Sequence, residues 1–527
     1  MPTFPFTEVK SVRRWSNYCG TIEERPVPVY CTPDVLGTAG ADVPRKLRRN
    51  GDALRAIVEY CFDTPGTTLR AIGSRWSFSR LLEPDRLIVD PANLNAMFEV
   101  NPDWLTPDYV RRRHPGRRPM LIQGGTQIAS INRRLLERGL ALRTSGAGDG
   151  HRLAGCIATG THGSALDVGA VHDTVLGFHL ITLPNESLFL QPRAAACGDQ
   201  VVEWLRRETG LFVTRVDDDE LFAAAQVSLG ALGFVHAVVV ETEPLYSLRG
   251  LVRTYSFGDP EVWNVLDDLQ TQRLHPDVAD RPFHFEVVFT PYPVRGRDGA
   301  FVKMYWKGPG DDATHESPRP VAPDMASDNL GLIGSLAEAI DGPLAGHAVR
   351  LLIADQLEQR YRPGPRAPAV PGMVFGHTTL PPGHGASTEV VVEQSKTRQA
   401  LELLYEVLAA EDRRGRHLLG AVAVRFVPRT SALLGMNQHE MNAYIELPSI
   451  RNDEVLGIYR AWWDTLEREG LPFTCHWGQL HGMNPGRLET YFGDRVGRWK
   501  DARERILSGA DGMRVFRNPL LAEVGLE

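Results

Sequence analysis

The chain has 527 residues, of which 43% are apolar and 23% charged, a composition typical of globular proteins with a large buried core. Its net charge of −7 favours neither a nucleic acid nor an anionic membrane as the main partner. No apolar run reaches the ~20 residues that a transmembrane helix needs. The six cysteines form no C-x-x-C pair, so we expect no bound metal and a reduced, cytoplasmic protein. The length of the chain is enough for two or three domains.

The N-terminal part of the chain predicts a β–α–β unit. Residues 50–52, Asn-Gly-Asp, have the composition of a turn and a helix cap, and an apolar stripe at helical spacing follows them. A strand over 68–72 then leads into the small, polar turn 73–79. Such a turn places backbone N–H groups where they can meet a phosphate. The stripe consists of Leu54, Ile57, Val58 and Cys61.

A second loop, residues 145–164, follows a predicted helix over 128–138 and a short strand over 140–142. Six of its twenty residues are glycine. Successive N–H groups in such a run can form a concavity that binds an anion. We expect the pyrophosphate of a dinucleotide to be the ligand. The loop has neither the G-x-G-x-x-G nor the G-x-x-x-x-G-K-[ST] spacing of other nucleotide-binding motifs.

The second half predicts an antiparallel sheet with helices on one side. Two tracts, 308–328 and 363–382, are rich in Pro and Gly, and the second holds six prolines. They are too irregular for a helix or an inner strand, and they are either lids or disordered. The other predicted elements are strands over 175–183, 235–241, 283–292, 389–393, 420–427 and 441–447, and helices over 199–209, 260–273, 330–340, 347–360, 397–410 and 453–470.

The second loop resembles the flavin-contact segment of the FAD-linked oxidases related to vanillyl-alcohol oxidase, and is closest to their aldonolactone and alditol oxidase branch. Its residues 149–164 read DGHRLAGCIATGTHGS, which matches the family's AG-x-x-x-TGTHG pattern. Similar words occur at 73–79, at 227–234 (VSLGALGF), at 476–478 (HWG) and at 516–518 (FRN).

The resemblance implies an α+β fold in three parts: an FAD-binding domain of two subdomains over 1–245, a substrate (cap) domain with an antiparallel sheet over 246–500, and a C-terminal segment over 501–527 that returns to the flavin. It implies FAD as the cofactor. The implied cofactor contacts are Gly73, Ser74, Arg75, Trp76, Ser77, Ser79, Ser145, Gly148, Asp149, Gly155, Cys156, Thr159, Gly160, Thr161, His162, Gly163, Gly233 and Asn518.

Three residues match catalytic positions of the family. Arg425, between apolar neighbours, matches the arginine of an E-x-R word, although Ala423 stands in place of the acid. His476 is the candidate base or hydrogen-bond donor, because imidazole titrates near neutral pH. Gln479 replaces the lysine that often follows HWG, which removes a positive charge.

The usual covalent histidyl–flavin link is excluded, because Trp76 occupies the position of the linking histidine. Cys156 leaves open a thioether to flavin C6, since its spacing to Gly160 resembles that in bicovalent relatives. Its neighbours are small or apolar, and burial disfavours a thiolate. We therefore expect noncovalent FAD with Cys156 close to the ring.

The resemblance implies an FAD-dependent oxidase of the D-arabinono-1,4-lactone oxidase type that acts on a CH–OH group by hydride transfer to the flavin. One alternative is a tailoring oxidase for a bulkier, less polar metabolite, and another is a flavin-binding protein without turnover. The implied partners are a small-molecule substrate and O2 or another electron acceptor. The substrate, the acceptor and the oligomeric state stay open at this stage.

Overall fold

The computed structural model describes residues 1–34, 43–269, 274, 281–313, 346–375 and 385–527. Its strands form three sheets, and each sheet is built from one continuous stretch of the chain. Helices and sheets are mixed throughout, which confirms the predicted α+β class. The domain boundaries and the division of the FAD-binding part into two subdomains stay predictions.

The first sheet has the strand order β1-β2-β4-β3 and contains the predicted β–α–β unit. Helix α1 (Val43–Asp63) connects β2 to β3, and its predicted apolar stripe is fully buried. Strand β3 pairs with β4 in parallel and precedes the turn 73–79. The strands are β1 (Thr7–Trp15), β2 (Arg25–Pro33), β3 (Leu69–Ala71) and β4 (Leu87–Val89).

Helix α1 begins earlier than the sequence predicted and runs through Gly51, so residues 50–52 are not a turn. A Cβ atom at Gly51 would lie 2.0 Å from the carbonyl oxygen of Thr209. The glycine therefore permits close approach of the C-terminal end of the helix Asp199–Thr209. Gly51 is explained by this contact and not by a turn.

The second sheet has the order β10-β9-β8-β11-β6-β5, with β7 paired to β11 outside this path. The glycine-rich loop leaves β7, contains the short helix α4, and returns toward β8. The strands are β5 (Met97–Glu99), β6 (Arg118–Gln123), β7 (Leu140–Leu142), β8 (Val175–Leu183), β9 (Glu186–Gln191), β10 (Phe212–Asp217) and β11 (Phe234–Pro244).

The third sheet has the order β15-β12-β14-β13-β17-β18-β16-β19, and its ladders are antiparallel as predicted. Its strands are β12 (Tyr246–Tyr255), β13 (His284–Phe289), β14 (Ala300–Pro309), β15 (Gly364–Ala369), β16 (Gly385–Glu393), β17 (Val422–Pro428), β18 (Met441–Ile450) and β19 (Thr474–Cys475).

The proline-rich tract 363–382 is partly regular, which corrects the expectation of a lid or disorder for its first half. Its residues Gly364–Ala369 form β15, which is an edge strand, the place in a sheet that tolerates proline. A short helix, Pro371–Val374, follows. Residues 376–384, most of the tract 308–328 and the predicted helix over 330–340 lie outside the described residues.

Most of the other predicted helices are confirmed, with ends shifted by a few residues. No helix among the described residues is long and apolar enough to cross a membrane. After α1 the helices are α2 (Pro107–Arg112), α3 (Ile128–Leu136), α4 (Leu153–Ala158), α5 (Asp199–Thr209), α6 (Asp219–Gln226), α7 (Pro260–Asp268), α8 (Gly346–Arg360), α9 (Pro371–Val374), α10 (Thr397–Asp412), α11 (Asp453–Arg468), α12 (Pro485–Phe492), α13 (Arg495–Leu507), α14 (Ala510–Val515) and α15 (Pro519–Val524).

A buried polar row crosses the second sheet, with one side chain from each of four neighbouring strands. Gln123 Nε2 lies 3.0 Å from His236 Nε2, and His236 Nδ1 lies 2.8 Å from His179 Nδ1. His179 Nε2 lies 2.9 Å from Ser187 Oγ, whose hydroxyl can donate to the Phe212 carbonyl. If each group donates to the next, both histidines are neutral and every contact is satisfied.

This row predicts a loss of stability at acidic pH. Burial lowers the pKa of His236 to about 4, and it lowers the pKa of His179 well below 6.5. The unfolded chain therefore binds more protons than the folded chain once the pH falls below ~6.5, and stability is lost between pH ~6.5 and ~4 by about 3 kcal/mol for His236 alone. Unfolding midpoints measured across this range in wild type and His236→Gln test the prediction. The variant should show a shallower dependence on pH, and an unchanged slope would contradict it.

Candidate active site

A cavity lies where the two predicted flavin loops meet the third sheet. The first loop contributes residues 73–78, and the second contributes residues from Ala147 to His162. The opposite wall consists of side chains from three strands of the third sheet and from the HWG segment. These are Glu389, Arg425, Glu446, His476, Gly478 and Gln479.

A second cavity lies beside the first, toward β3, Gly230, Gly233 and Phe516. The two cavities share wall residues, among them Gly73, Gly155 and Thr159. A Cβ atom built on Gly155 would meet no atom within 4 Å, and one built on Gly73 would meet only Arg152 at 3.8 Å. Each loop thus presents a glycine backbone to the adjacent cavities, an arrangement that fits an extended dinucleotide such as FAD.

Most of the predicted site residues are brought together. Those that line the two cavities are Gly73, Ser74, Arg75, Trp76, Ser77, Gly148, Gly155, Cys156, Thr159, Thr161, His162, Gly233, Arg425, His476 and Gln479. The others do not line them: Ser79, Ser145, Asp149, Gly160, Gly163 and Asn518. Asn518 instead braces the cavity wall, because its Nδ2 donates to the carbonyl of Leu229 at 3.0 Å.

The first loop is held by contacts on both of its sides. Arg75 has a positive φ of 63°, and its carbonyl accepts from the backbone N–H of Tyr18 at 2.8 Å. The Trp76 ring lies 4.6 Å from that of His151 and covers Gly150, where a Cβ would come within 2.5 Å of the indole. Gly150 is therefore required for the indole of Trp76 to seat against the second loop.

Cys156 lines the cavity but carries an unreactive thiol. Its residue is 2% exposed, and burial raises its pKa to about 12. All six cysteines of the chain are free and buried. A thiol with so high a pKa is a poor nucleophile at neutral pH.

Arg425, on β17, is surrounded by three carboxylates from neighbouring strands. Its Nε donates to Glu286 Oε1 at 3.0 Å, and its Nη2 lies 3.0 Å from Glu446 Oε2. Its Nη1 lies 3.6 Å from Glu389 Oε1. Burial alone would lower the pKa of Arg425, but the charges of the three carboxylates raise it, so the guanidinium is a permanent cation. The predicted interpretation of Arg425 as a site residue rather than a surface residue fits this burial.

Behind Arg425, a lysine completes the row of charges. Lys303 Nζ on β14 donates to Glu286 Oε2 at 2.7 Å, and both residues have no exposed surface. Burial would raise the pKa of Glu286, but the charges of Lys303 and Arg425 hold it well below its usual range. Glu286 is therefore an ionised carboxylate that fixes the guanidinium from the side away from the cavity.

The acid that Ala423 lacks has a counterpart on the next strand. Ala423 pairs with Glu446 across the β17–β18 ladder. Gln479 Nε2 donates to Glu446 Oε1 at 3.0 Å, and Ser387 Oγ donates to the same oxygen at 3.2 Å. Gln479 therefore orients a carboxylate next to Arg425, and the polar contact expected to be missing is restored from β18.

His476 is a hydrogen-bond donor rather than a base in this geometry. Its Nδ1 accepts from the backbone N–H of Gly478 at 3.0 Å, so the proton of the neutral ring resides on Nε2. Burial lowers the pKa of His476 to about 4, which keeps the ring neutral near pH 7. Of the two roles predicted for His476, the structure favours the donor.

His162, Glu389 and His476 lie close together and are buried. One possible ligand atom from each of the three lies within 4.8 Å of the others, a spacing that could admit a metal ion. His162 Nε2 lies at hydrogen-bonding distance, 3.0 Å, from Glu389 Oε2, and His476 Nδ1 accepts from the Gly478 N–H.

The sequence analysis missed several residues of the cavity wall. Glu389 and Glu446, and Glu286 behind them, are carboxylates inside otherwise apolar strands, a pattern that marks a paired or functional charge. His151 belongs to the predicted loop 145–164, but its position in the cavity wall beside Trp76 is known only from the structure. The remaining missed residues are Phe78, Leu81, Leu82, Ala147, Arg152 and Gly478.

Curated relatives of the chain are lactone-oxidising enzymes. L-gulono-1,4-lactone dehydrogenase of Mycobacterium tuberculosis is 22% identical over 513 residues, which cover 96% of this chain and 97% of the relative. D-arabinono-1,4-lactone oxidase of Candida glabrata is 24% identical over 190 residues, 36% of this chain and 30% of the relative. No family model matches the chain.

Cholesterol oxidases share the fold of the chain. The crystal structure of cholesterol oxidase from Brevibacterium sterolicum has a TM-score of 0.66 and 14% identity, with 99% of this chain and 98% of that chain covered. A solvent-stable cholesterol oxidase has a TM-score of 0.67 and 13% identity, with 98% of each chain covered. The chain is thus similar in sequence to lactone-oxidising enzymes, over nearly its whole length in one case, and similar in fold to cholesterol oxidases.

Proposed function

We propose that this protein is an FAD-dependent oxidoreductase that oxidises the CH–OH group of a hydroxylated small molecule. The observation that carries the proposal is the first cavity, which is lined by both glycine-bearing loops and by a wall of charged and hydrogen-bonding side chains. Relatives named as lactone oxidases and dehydrogenases support the same reaction class. The free, buried cysteines fit the proposed cytoplasmic location.

FAD would be held by the two loops, whose glycines leave space beside the backbone. We propose residues 73–79 and 145–164 as its main contacts, with Gly233 and Asn518 supporting the far end of the second cavity. Bound there, FAD supplies a hydride acceptor. Gly73 and Gly155 leave space for such a group, because a Cβ atom at either position would meet no protein atom closer than 3.8 Å.

The third sheet supplies the groups for the substrate. His476 can donate from Nε2 to the oxygen of an alcohol or of the carbonyl it becomes. Arg425 provides a fixed positive charge in a dry site, where it stabilises negative charge on that oxygen more strongly than it would in water. The hydrogen bond from Gln479 orients the Glu446 carboxylate toward Arg425. The carboxylate in turn fixes the position of the guanidinium in the cavity wall.

The polar wall favours a polyol or a lactone as the substrate, because several hydroxyl groups would find partners among its carboxylates, histidine and amide. One observation favours the bulkier alternative: the other side of the cavity carries Trp76, Phe78, Leu81 and Leu82. A flavin protein without turnover is the weaker alternative, since Arg425 and His476 line the cavity.

Purified protein is expected to show the visible absorbance of bound flavin, at one FAD per chain, and to bleach under anaerobic conditions with a hydroxylated substrate. The test panel is L-gulono-1,4-lactone, D-arabinono-1,4-lactone, xylitol and cholesterol. Bleaching by a lactone or by xylitol supports the proposal, and bleaching by cholesterol alone supports the bulkier alternative. Protein that stays colourless even after incubation with FAD would refute the proposal.

Arg425→Lys is expected to lower kcat about 10²–10³-fold, because one ammonium group cannot replace a guanidinium that faces three carboxylates and the cavity. FAD should stay bound, since Arg425 lies outside both loops. Turnover and FAD content are measured on the same preparation. Arg429→Lys, an exposed arginine just beyond the end of the same strand, is the control and should keep wild-type activity. Activity of Arg425→Lys within threefold of wild type would show that the arginine is peripheral.

We further propose that the flavin is held without a covalent bond. Trp76 offers no nucleophilic nitrogen, and the pKa of Cys156, about 12, leaves little thiolate. After acid precipitation the colour should appear in the supernatant. Colour retained in the pellet of wild type would contradict this, and its loss in Cys156→Ala or in His151→Ala would identify the linking residue. Cys475→Ala, another buried thiol outside the cavity, is the matched control.

A further inference from the structure

The carboxylates around Arg425 differ in how their oxygens are used. Glu286 accepts hydrogen bonds at both oxygens. Glu446 accepts from Ser387 and Gln479 at Oε1, and its Oε2 is held by the ion pair with Arg425 Nη2 at 3.0 Å rather than by a hydrogen bond. Glu389, also in the cavity wall, uses Oε2 for the contact with His162, whereas its Oε1 has no hydrogen bond among the described residues. The nearest cation to Oε1 is Arg425 Nη1 at 3.6 Å. Glu389 thus presents one buried oxygen that can accept from a donor in the cavity.

The contacts of His162 decide the charge of Glu389. His162 Nδ1 lies 2.8 Å from the carbonyl oxygen of Gly163, which can only accept, so Nδ1 carries a proton. His162 Nε2 lies 3.0 Å from Glu389 Oε2, and a hydrogen bond there requires a proton on one of the two atoms. The pair is therefore either an imidazolium beside a carboxylate or a neutral ring beside a carboxylic acid.

Two observations select the imidazolium and the carboxylate. The His162 ring lies over Tyr444, with ring centroids 3.8 Å apart, and an aromatic face stabilises a cation. Burial would raise the pKa of Glu389, but the charge of His162 and its hydrogen bond hold that pKa below its usual range. The acceptor oxygen Oε1 therefore belongs to an ionised group.

We propose that Glu389 is the catalytic residue that takes the hydroxyl proton of the substrate, through Oε1, with His162 as the cation that holds Oε2. The inference rests on the proposed function and assigns its missing base. His476 does not compete for this role, because its Nδ1 already accepts from Gly478 and its Nε2 carries the proton. Whereas Glu446 on β18 takes the place of the acid absent at Ala423, the proton acceptor lies on β16, two strands from β17.

The step balances as a hydride and a proton removed from one alcohol. The substrate O–H bond breaks and its proton forms a new O–H bond at Glu389 Oε1. The C–H bond would break with its hydrogen and electron pair accepted as hydride by bound FAD, the oxidant that the proposed function supplies, while a C=O bond forms and the alcohol is oxidised. Glu389 is a weak base, so the proton moves as the hydride leaves, when the oxygen becomes strongly acidic.

The charge state of the pair is tested without any substrate. The full-length, FAD-loaded protein is labelled with ¹⁵N-histidine, and the resonance of His162 is assigned by its loss in His162→Gln. Near neutral pH we expect protons on both ring nitrogens in wild type, and loss of one of them in Glu389→Gln. A neutral His162 ring in wild type would mean that Glu389 is protonated, and this would overturn the proposal.

The role in the reaction is tested by the rate of anaerobic flavin reduction with L-gulono-1,4-lactone, or with another alcohol of the panel that bleaches the wild type. Glu389→Gln is expected to slow reduction about 10²–10⁴-fold, and Glu389→Asp to recover part of the loss. Glu411→Gln, a buried carboxylate outside the cavity, is the control and should match wild type. A rate for Glu389→Gln within threefold of wild type would overturn the proposal. If no alcohol bleaches the wild type, the proposed function fails, and the state of His162 still decides whether Glu389 is ionised.

Discussion

The ion pairs between one guanidinium and three carboxylates fix the geometry of the catalytic wall. Arg425 is 5% exposed, and a lone charge so far from water would cost several kcal/mol. The antiparallel ladders solve this by placing Glu286 opposite Arg425 on one side and Glu446 opposite Ala423 on the other. Since each charge is held by its neighbours, the guanidinium has little freedom to move, and it faces the cavity in one orientation.

The charged wall joins two separate parts of the chain. Arg425 and Lys303 face the carboxylates of Glu286, Glu389 and Glu446 within the third sheet. His162, from the glycine-rich loop, lies 3.0 Å from Glu389 on that sheet. The loop and the sheet are therefore joined by a buried hydrogen bond, which a low dielectric strengthens.

Much of this could be read from local sequence patterns. The apolar stripe of α1, the strand 175–183 and the helix 199–209 follow from periodicity, because burial on one face imposes the period of the element. Arg425 was recognisable from its apolar neighbours, and the two loops from their glycines. Gly51 shows where local patterns fail as predictors. The residues Asn-Gly-Asp at 50–52 favour a turn, yet they lie inside α1, because tertiary packing against Thr209 outweighs the local preference.

The sequence by itself indicated the α+β class and the two glycine-bearing loops, because these depend on neighbours along the chain, and its resemblance to the FAD-linked oxidases predicted Arg425, His476 and His162 as site residues. Only the tertiary structure decided that Glu389, Glu446 and Glu286 surround Arg425, that His476 is a donor and that Gln479 orients a carboxylate. These facts arise from strand order and register, which bring residues far apart in the chain within hydrogen-bonding distance. A protonation state depends on such contacts and on burial, and neither can be predicted from the local sequence.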